Sequence, residues 1–192
     1  MKKLILAAGL FALSACASQR PKMDQQASPE TLRNMPGWYK KPPKSDDRWI
    51  IAPATGESRD LQVALNKAEL EGRTALASQL EVKLGGLQRR FVEETGLGAD
   101  ATALGEYEQT AKAVISQVLI GSHTREQQFS MGAGTYRAWV LMELPVGEAS
   151  KALLERLKQQ EAIVTRIRAS EAFKELNAEV EKYEKRKDAG RP

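Results

Sequence analysis

The spacing of hydrophobic residues along the chain predicts a strand followed by a helix in its first half. The apolar run Trp49–Gly56 predicts a strand, and Pro53 has no amide donor, which places that strand at a sheet edge or a bulge. Apolar residues at 3-4 spacing then predict a helix from about Leu61 to Leu84, capped by Ser58 or Asp60. This helix presents one continuous apolar face to a core.

Glycines and an acidic cap divide the middle of the chain. Gly85-Gly86 is typical of a helix end, and residues 87–100 then form a solvated connection. Asp100 caps a second amphipathic helix that runs to about Gln117 or Leu119. The pattern so far is strand, helix, loop, helix.

The next segment has the signature of a β-hairpin. The chain is extended over Ile120–Ser130, turns at Met131–Gly134, and continues as a strand over Thr135–Leu144. Both faces of that last strand carry apolar residues. It is therefore a central strand or one that lies beneath the C-terminal helix.

After Pro145 the pattern predicts one long helix from about Glu148 toward Arg186, with a frayed end. It carries two apolar stripes that are rotated from each other, and one docking surface cannot easily bury both. We expect the second stripe to project, kink or pair with another chain. The candidate partner contacts on it are Phe173, Leu176, Val180 and Tyr183.

These elements predict an α+β fold. We expect one small, mainly antiparallel sheet of about three strands packed against two helices, plus a long C-terminal helix. The expected divisions are a leader (residues 1–15), a flexible tether (16–45), a compact domain (46–147) and a C-terminal helix with a frayed tail (148–192).

The N-terminus has the features of a secretion signal. Met1-Lys2-Lys3 is basic, and Leu4–Leu13 is an apolar run that is too short to span a membrane. The run ends in Leu13-Ser14-Ala15-Cys16, which resembles the lipobox of bacterial lipoproteins. We expect cleavage before Cys16 and covalent diacylglycerol and N-acyl lipid on it. Ala17 and Ser18, rather than an Asp, come directly after the cysteine, which favours the outer membrane, with the protein facing the periplasm or the surface.

The tether is polar and proline-rich, with one apolar island at residues 35–39. Trp38 and Tyr39 in this island pack back on the domain or, alternatively, dock a partner.

Composition excludes most catalytic architectures. The chain has 192 residues with one Cys and one His, so neither a Cys/His zinc cage nor a disulfide can form within it. We expect no catalytic residues, no metal and no cofactor beyond the lipid. His123 is expected to be a surface or hydrogen-bonded strand histidine. The net charge of +4 falls to +2 without residues 1–15, and neither value argues for a nucleic-acid partner.

The order of several motifs resembles that of a known family. They are Pro36-Gly37-Trp38, the run Ala54–Ser58, the helix residues Ala64, Ala68, Arg73, Leu76 and Leu80, and the strand Tyr136–Val140. Over about residues 36–145 the chain resembles the bacterial Lpp-twenty lipoprotein family, which includes a flagellar outer-membrane lipoprotein. The resemblance implies a small α+β domain with a structural, surface-associated role and no catalytic residues.

We therefore expect a lipid-anchored outer-membrane lipoprotein that acts as an assembly component of an envelope complex, alone or as a homo-oligomer. A flagellum-associated complex is one setting that the resemblance implies. One alternative is a regulatory lipoprotein that binds or activates a peptidoglycan enzyme. Another is a carrier of a small apolar ligand between the sheet and the C-terminal helix.

Overall fold

The computed structural model describes residues 29–132 and 134–190. Its three strands are β1 (Trp49–Ser58), β2 (His123–Gly132) and β3 (Thr135–Pro145). Its helices are α1 (Pro29–Asn34), α2 (Gly37–Lys40), α3 (Leu61–Thr95), α4 (Ala101–Leu119), α5 (Val146–Lys158), α6 (Glu161–Ile167) and α7 (Glu171–Asp188), with a 3-10 turn at Leu97–Ala99.

The three strands form one antiparallel sheet in the order β1-β3-β2. The predicted α+β class with a three-stranded antiparallel sheet is thus confirmed. β3 is the central strand, and β1 is an edge strand, as Pro53 indicated. β2 and β3 form the expected hairpin, with strand pairing continuing to Gly132 and Thr135.

The inner face of the sheet packs closely on α3 because glycine stands at two contact points. An added Cβ at Gly56 would lie 2.3 Å from the carbonyl oxygen of Ala64, and one at Gly72 would lie 2.3 Å from Cγ of Met142. Ala64 and Ala68, which line the contact, are fully buried. Small residues therefore allow the helix backbone to approach the sheet.

The predicted end of this helix at Gly85-Gly86 is wrong, because α3 continues to Thr95. The residues predicted as a loop after Gly86 form its last turns, and the helix ends at Gly96, which has a left-handed φ of 67°. Residues four positions apart on an α-helix are offset by about 40° around its axis. The buried stripe from Ala64 to Leu84 takes five such steps, so it winds around the helix by about 200°. The first half of α3 therefore faces the sheet and the second half faces other helices.

Those helices close the core around the end of α3. Asp100 caps α4 as predicted, accepting from the backbone N–H groups of Thr102 and Ala103. The rings of Phe91 and Tyr107 meet edge to face at 5.9 Å, and both are fully buried.

The C-terminal region is helical as predicted and ends in the long helix α7, but it is not one continuous helix. It breaks near Gln159 and again before Ser170, whose hydroxyl accepts from the N–H of Phe173 and caps α7. The two breaks fold α7 back onto α3 and α5. Gly147 makes this approach feasible, since an added Cβ there would lie 2.1 Å from the Tyr183 ring.

The outer face of the sheet is covered by the segment that the sequence predicts as a flexible tether. Residues 29–40 form α1 and α2, which contact β2 and β3 respectively. Pro36 is buried in this layer, and Trp139 and Leu141 beneath it are almost fully buried. The tether prediction is therefore wrong from Pro29 to Lys40, because the apolar island needs a surface on which to pack.

Candidate interaction site

The lipidation site lies outside the described residues. Leu13, Ser14, Ala15 and Cys16 precede the first residue that the structure describes, so cleavage and acylation at Cys16 stay predictions. No helix in the described ranges is both long and apolar enough to cross a membrane.

The stripe of predicted partner contacts on α7 belongs to the chain's own core. The side chains concerned are all buried against the rest of the protein: Phe173, Leu176, Val180 and Tyr183. Folding back of α7 onto α3 and α5 covers them, so this part of the partner-surface prediction is wrong. Trp38 and Tyr39 are half-buried over the sheet, which fits the alternative in which they pack on the domain.

Tyr183 also joins α7 to α5 through a polar contact. Its hydroxyl donates to the carboxylate of Glu148, which Lys187 also contacts at 3.0 Å. The hydrogen bond from Tyr183 holds the pKa of Glu148 below its usual range, despite partial burial. Burial and the same carboxylate raise the pKa of Tyr183 to about 12. The contact thus links α7 to α5.

His123 belongs to a cluster of interacting side chains at the start of β2. The half-exposed imidazole lies 2.9 Å from the buried carboxylate of Glu143, which also pairs with Arg125 at 3.3 Å. The Trp49 ring meets the imidazole edge to face at 5.9 Å. This is the hydrogen-bonded strand histidine that the sequence predicts. Among the described residues, no three His, Cys, Asp or Glu side chains converge on a point where they could hold a metal ion.

One edge of the sheet, along β1, is closed by neighbouring groups. The backbone N–H of Ile51 donates to the Ser45 hydroxyl at 2.9 Å, and its carbonyl accepts from the Gln79 amide at 3.0 Å. Pro53, two residues further, has no N–H. The carbonyl of Glu57 accepts from Lys67 at 3.1 Å. These contacts and the missing N–H leave little room for an added strand.

The opposite edge, along β2, is open. The strand pairs with β3 on one side, and no described strand lies on the other. Its first half is protected by a bulge between Thr124 and Glu126 and by the charges there. The second half, which we call the open edge (Gln127–Met131), has neither charge nor proline. Over this stretch no side chain of the described residues bonds to the strand backbone.

The open edge also displays apolar surface. Phe129 is 57% exposed and Met131 is 64% exposed, and both lie on the face of the sheet that α3 covers further in. Two large apolar side chains beside unpaired backbone groups are typical of a strand that accepts another strand. This site is not among those predicted from the sequence, although an uncharged run with Phe129 and Met131 in a polar strand was a readable signal.

A separate cavity of about 260 Å³ lies between α3, α5 and α7. Its floor is apolar, formed by Leu84, Leu87, Ala172 and Leu176. Ion pairs stand at its two ends, Lys83 with Glu179 at 2.7 Å and Arg90 with Glu175 at 2.5 Å. The hydrogen bond from Arg90 lowers the pKa of the Glu175 carboxyl.

A glycine of α3 lies in the wall of the cavity. Gly86 lines it, and an added Cβ would meet no atom closer than 4.0 Å. Glycine inside a helix costs about 1 kcal/mol relative to alanine, and at Gly86 no close packing requires it.

No protein-family model, curated protein or solved structure matches the chain.

Proposed function

We propose that this protein is a lipid-anchored outer-membrane lipoprotein that acts as an assembly component of a cell-envelope complex through protein contacts rather than catalysis. The open edge (Gln127–Met131) is the observation that carries the proposal. An uncharged edge with two exposed apolar side chains is a liability in a chain that works alone. The setting of the complex, flagellar or otherwise, rests on the resemblance to the Lpp-twenty family.

The membrane half of the proposal rests on Cys16 and its lipobox. Two or three acyl chains, at about 0.8 kcal/mol for each buried methylene, hold a protein stably at a membrane. We expect Cys16→Ser to abolish labelling by radioactive palmitate and release the protein from membranes, whereas Ser18→Ala leaves both unchanged. Palmitate labelling that persists in Cys16→Ser would contradict the anchor.

The partner half rests on strand addition at the open edge. A partner that supplies an extended segment would form main-chain hydrogen bonds with β2, and its apolar side chains would contact Phe129 and Met131. The partner segment then extends the sheet from three strands to four. The same geometry serves a second copy of this chain or a different envelope protein.

Paired substitutions test the partner half. Phe129→Lys with Met131→Lys places charge on the open edge, and Leu70→Lys with Val82→Lys places the same charge on exposed apolar positions of α3. We expect the first pair, and not the second, to abolish co-purification of the partner from detergent-solubilised envelopes. Equal co-purification from both pairs and the wild type would contradict the proposal. A single peptidoglycan enzyme recovered at one-to-one stoichiometry would instead identify the regulatory alternative.

The cavity beside Gly86 favours a second function, carriage of a small apolar ligand. Gly86→Leu would fill it, whereas Gly85→Leu points into open space on the same helix turn. A carrier should release a small molecule in native mass spectrometry as wild type and as Gly85→Leu, and none as Gly86→Leu. Absence of any bound molecule in all three would reject this function.

A further inference from the structure

Positive charge is concentrated in the N-terminal part of the mature chain. Residues 17–45 contain six Lys and Arg against two Asp and Glu, a net charge of +4. Residues 46–192 contain 21 against 23, a net charge of −2. The modest overall charge therefore conceals a basic end and a weakly acidic body.

The structure shows how part of this charge is displayed. We define the basic segment as Leu32–Ser45, which holds four cations and no carboxylate. All four of these side chains are exposed: Arg33, Lys40, Lys41 and Lys44.

The basic segment is held against the sheet. The carbonyl of Asn34 accepts from the Gln128 amide at 2.9 Å, and Pro36 of the same segment is buried. Trp38 and Tyr39 are half-buried, with their rings edge to face at 6.2 Å. Tyrosine and tryptophan with one apolar and one wet side are common at membrane interfaces. The four cations are thus carried by a segment that is packed against the domain.

We propose that the basic segment contacts the anionic lipid surface in which the protein is anchored. This inference rests on the lipid anchor of the proposed function. Cys16 lies 13 residues before Pro29, so even a fully extended connection would be no longer than roughly 45 Å. That limit keeps the cations within reach of the headgroups, and a lysine close to an anionic leaflet strengthens binding about fivefold.

The contact orients the domain. With the basic segment toward the membrane, the layer formed by α1 and α2 lies between the lipid and the sheet. The open edge (Gln127–Met131), which runs along the side of the same sheet, then stays accessible from the aqueous phase. The anchor, the basic segment and the open edge would thus have separate roles.

Vesicle binding of a chain that starts at Ala17 tests the contact without the acyl chains. This chain keeps every residue that the structure describes. The test variant is Lys40→Gln, Lys41→Gln and Lys44→Gln, and the matched control is Lys158→Gln, Lys182→Gln and Lys185→Gln, three exposed lysines of the body. Vesicles of phosphatidylcholine, alone and mixed with phosphatidylglycerol, supply neutral and anionic surfaces.

We expect the unsubstituted chain to bind the anionic vesicles and to lose that binding in high salt. The test variant should bind about a hundredfold more weakly, and the control less than about fivefold more weakly. Equal losses in the two variants, unchanged binding in the test variant, or equal binding of the unsubstituted chain to neutral vesicles would each overturn the inference. Loss of membrane contact here leaves the palmitate result at Cys16 intact, so the two proposals fail separately.

Thermal melts of the three chains guard against misfolding. All three should unfold at the same temperature, since the substituted lysines are exposed. If the triple variant melts lower, Lys41→Gln with Lys44→Gln replaces it, because both residues lie outside helices, with an expected loss of about twenty-five-fold. Unchanged binding of that folded double variant would overturn the inference equally.

Discussion

The two edges of the sheet are opposites in their chemistry. At the β1 edge, both polar backbone groups of Ile51 are satisfied by side chains and Pro53 removes a donor. At the β2 edge, the open edge (Gln127–Met131) exposes its backbone together with Phe129. A sheet that needed only to fold would gain from closing both edges. The difference indicates that the chain restricts strand pairing to one side.

Disturbing the packing of β1 against α3 should have the largest effect on the stability of the protein. Gly56→Ala would place a Cβ 2.3 Å from the Ala64 carbonyl oxygen, and backbone atoms cannot rotate away. We expect the free energy of unfolding to fall by about 3 kcal/mol in urea denaturation. Gly105→Ala, whose Cβ would enter open space on α4, is the control and should be neutral or stabilising. Equal stability of the two variants would show that β1 is not held as described.

Alkaline pH should destabilise the body of the protein without changing the charge of the open edge (Gln127–Met131). The pKa of Tyr183 is raised to about 12, while an ordinary tyrosine ionises near 10. Because the unfolded chain loses this proton first, the stabilisation is complete below pH 10 and is lost as the pH rises toward 12. Burial raises the pKa of Tyr107 as well, which adds to the loss. The open edge (Gln127–Met131) has no titratable side chain.

Melting temperatures measured from neutral pH to about pH 12 test this. The wild type should lose stability steeply above pH 10, and Tyr183→Phe should lose it less steeply. Tyr39→Phe, which leaves the contact with Glu148 intact, is the control and should follow the wild type. Identical slopes in all three proteins would refute the role of Tyr183.

A smaller effect is expected from opening the β1 edge itself. Ser45→Ala removes the acceptor of the Ile51 N–H, and we expect a loss of about 1 kcal/mol in the free energy of unfolding. Ser78→Ala, on the exposed side of α3, is the control and should change stability by no more than a few tenths of a kcal/mol. If Ser45→Ala is as neutral as Ser78→Ala, the β1 edge is not closed by this contact.

The smallest effect on stability is expected at the open edge. Phe129→Lys with Met131→Lys should change the free energy of unfolding by less than about 1 kcal/mol, because both side chains are exposed. The same urea denaturation measures it. A loss above about 2 kcal/mol would mean that these side chains support the fold and are not reserved for a partner.

Much of the fold could be predicted from short-range patterns. Local residue patterns predicted the three strands, Pro53 indicated the edge, and Asp100 was recognised as a helix cap, because each signal lies within a few residues of its effect. The end of α3 was predicted wrongly because it depends on contacts with residues far away in the sequence. Gly85 and Gly86 are ordinary helical residues here, because the neighbouring helices bury the residues on both sides of them, and the stop is the left-handed Gly96.

The fold of the C-terminal region also depends on contacts that short-range patterns do not reveal. The pattern predicted two apolar stripes, but the direction in which α7 turns depends on Gly147, which meets Tyr183 more than thirty residues later. Ser170 was a readable cap, and recognising it would have divided the predicted helix. Pro29 at the first helical position was a similar signal for α1. The uncharged run with Phe129 and Met131 was a local signal for the candidate site, but whether β2 lies at an edge of the sheet depends on which strands flank it.

Site-specific photocrosslinking in intact cells tests directly whether a partner binds along the β2 edge and not along the β1 edge. A photoreactive amino acid is placed at Phe129 on the β2 edge or at exposed Glu57 on the β1 edge, and adducts are resolved by gel and mass spectrometry. We expect a discrete protein adduct from position 129 and none from position 57. An adduct from position 57 with none from position 129 would contradict it.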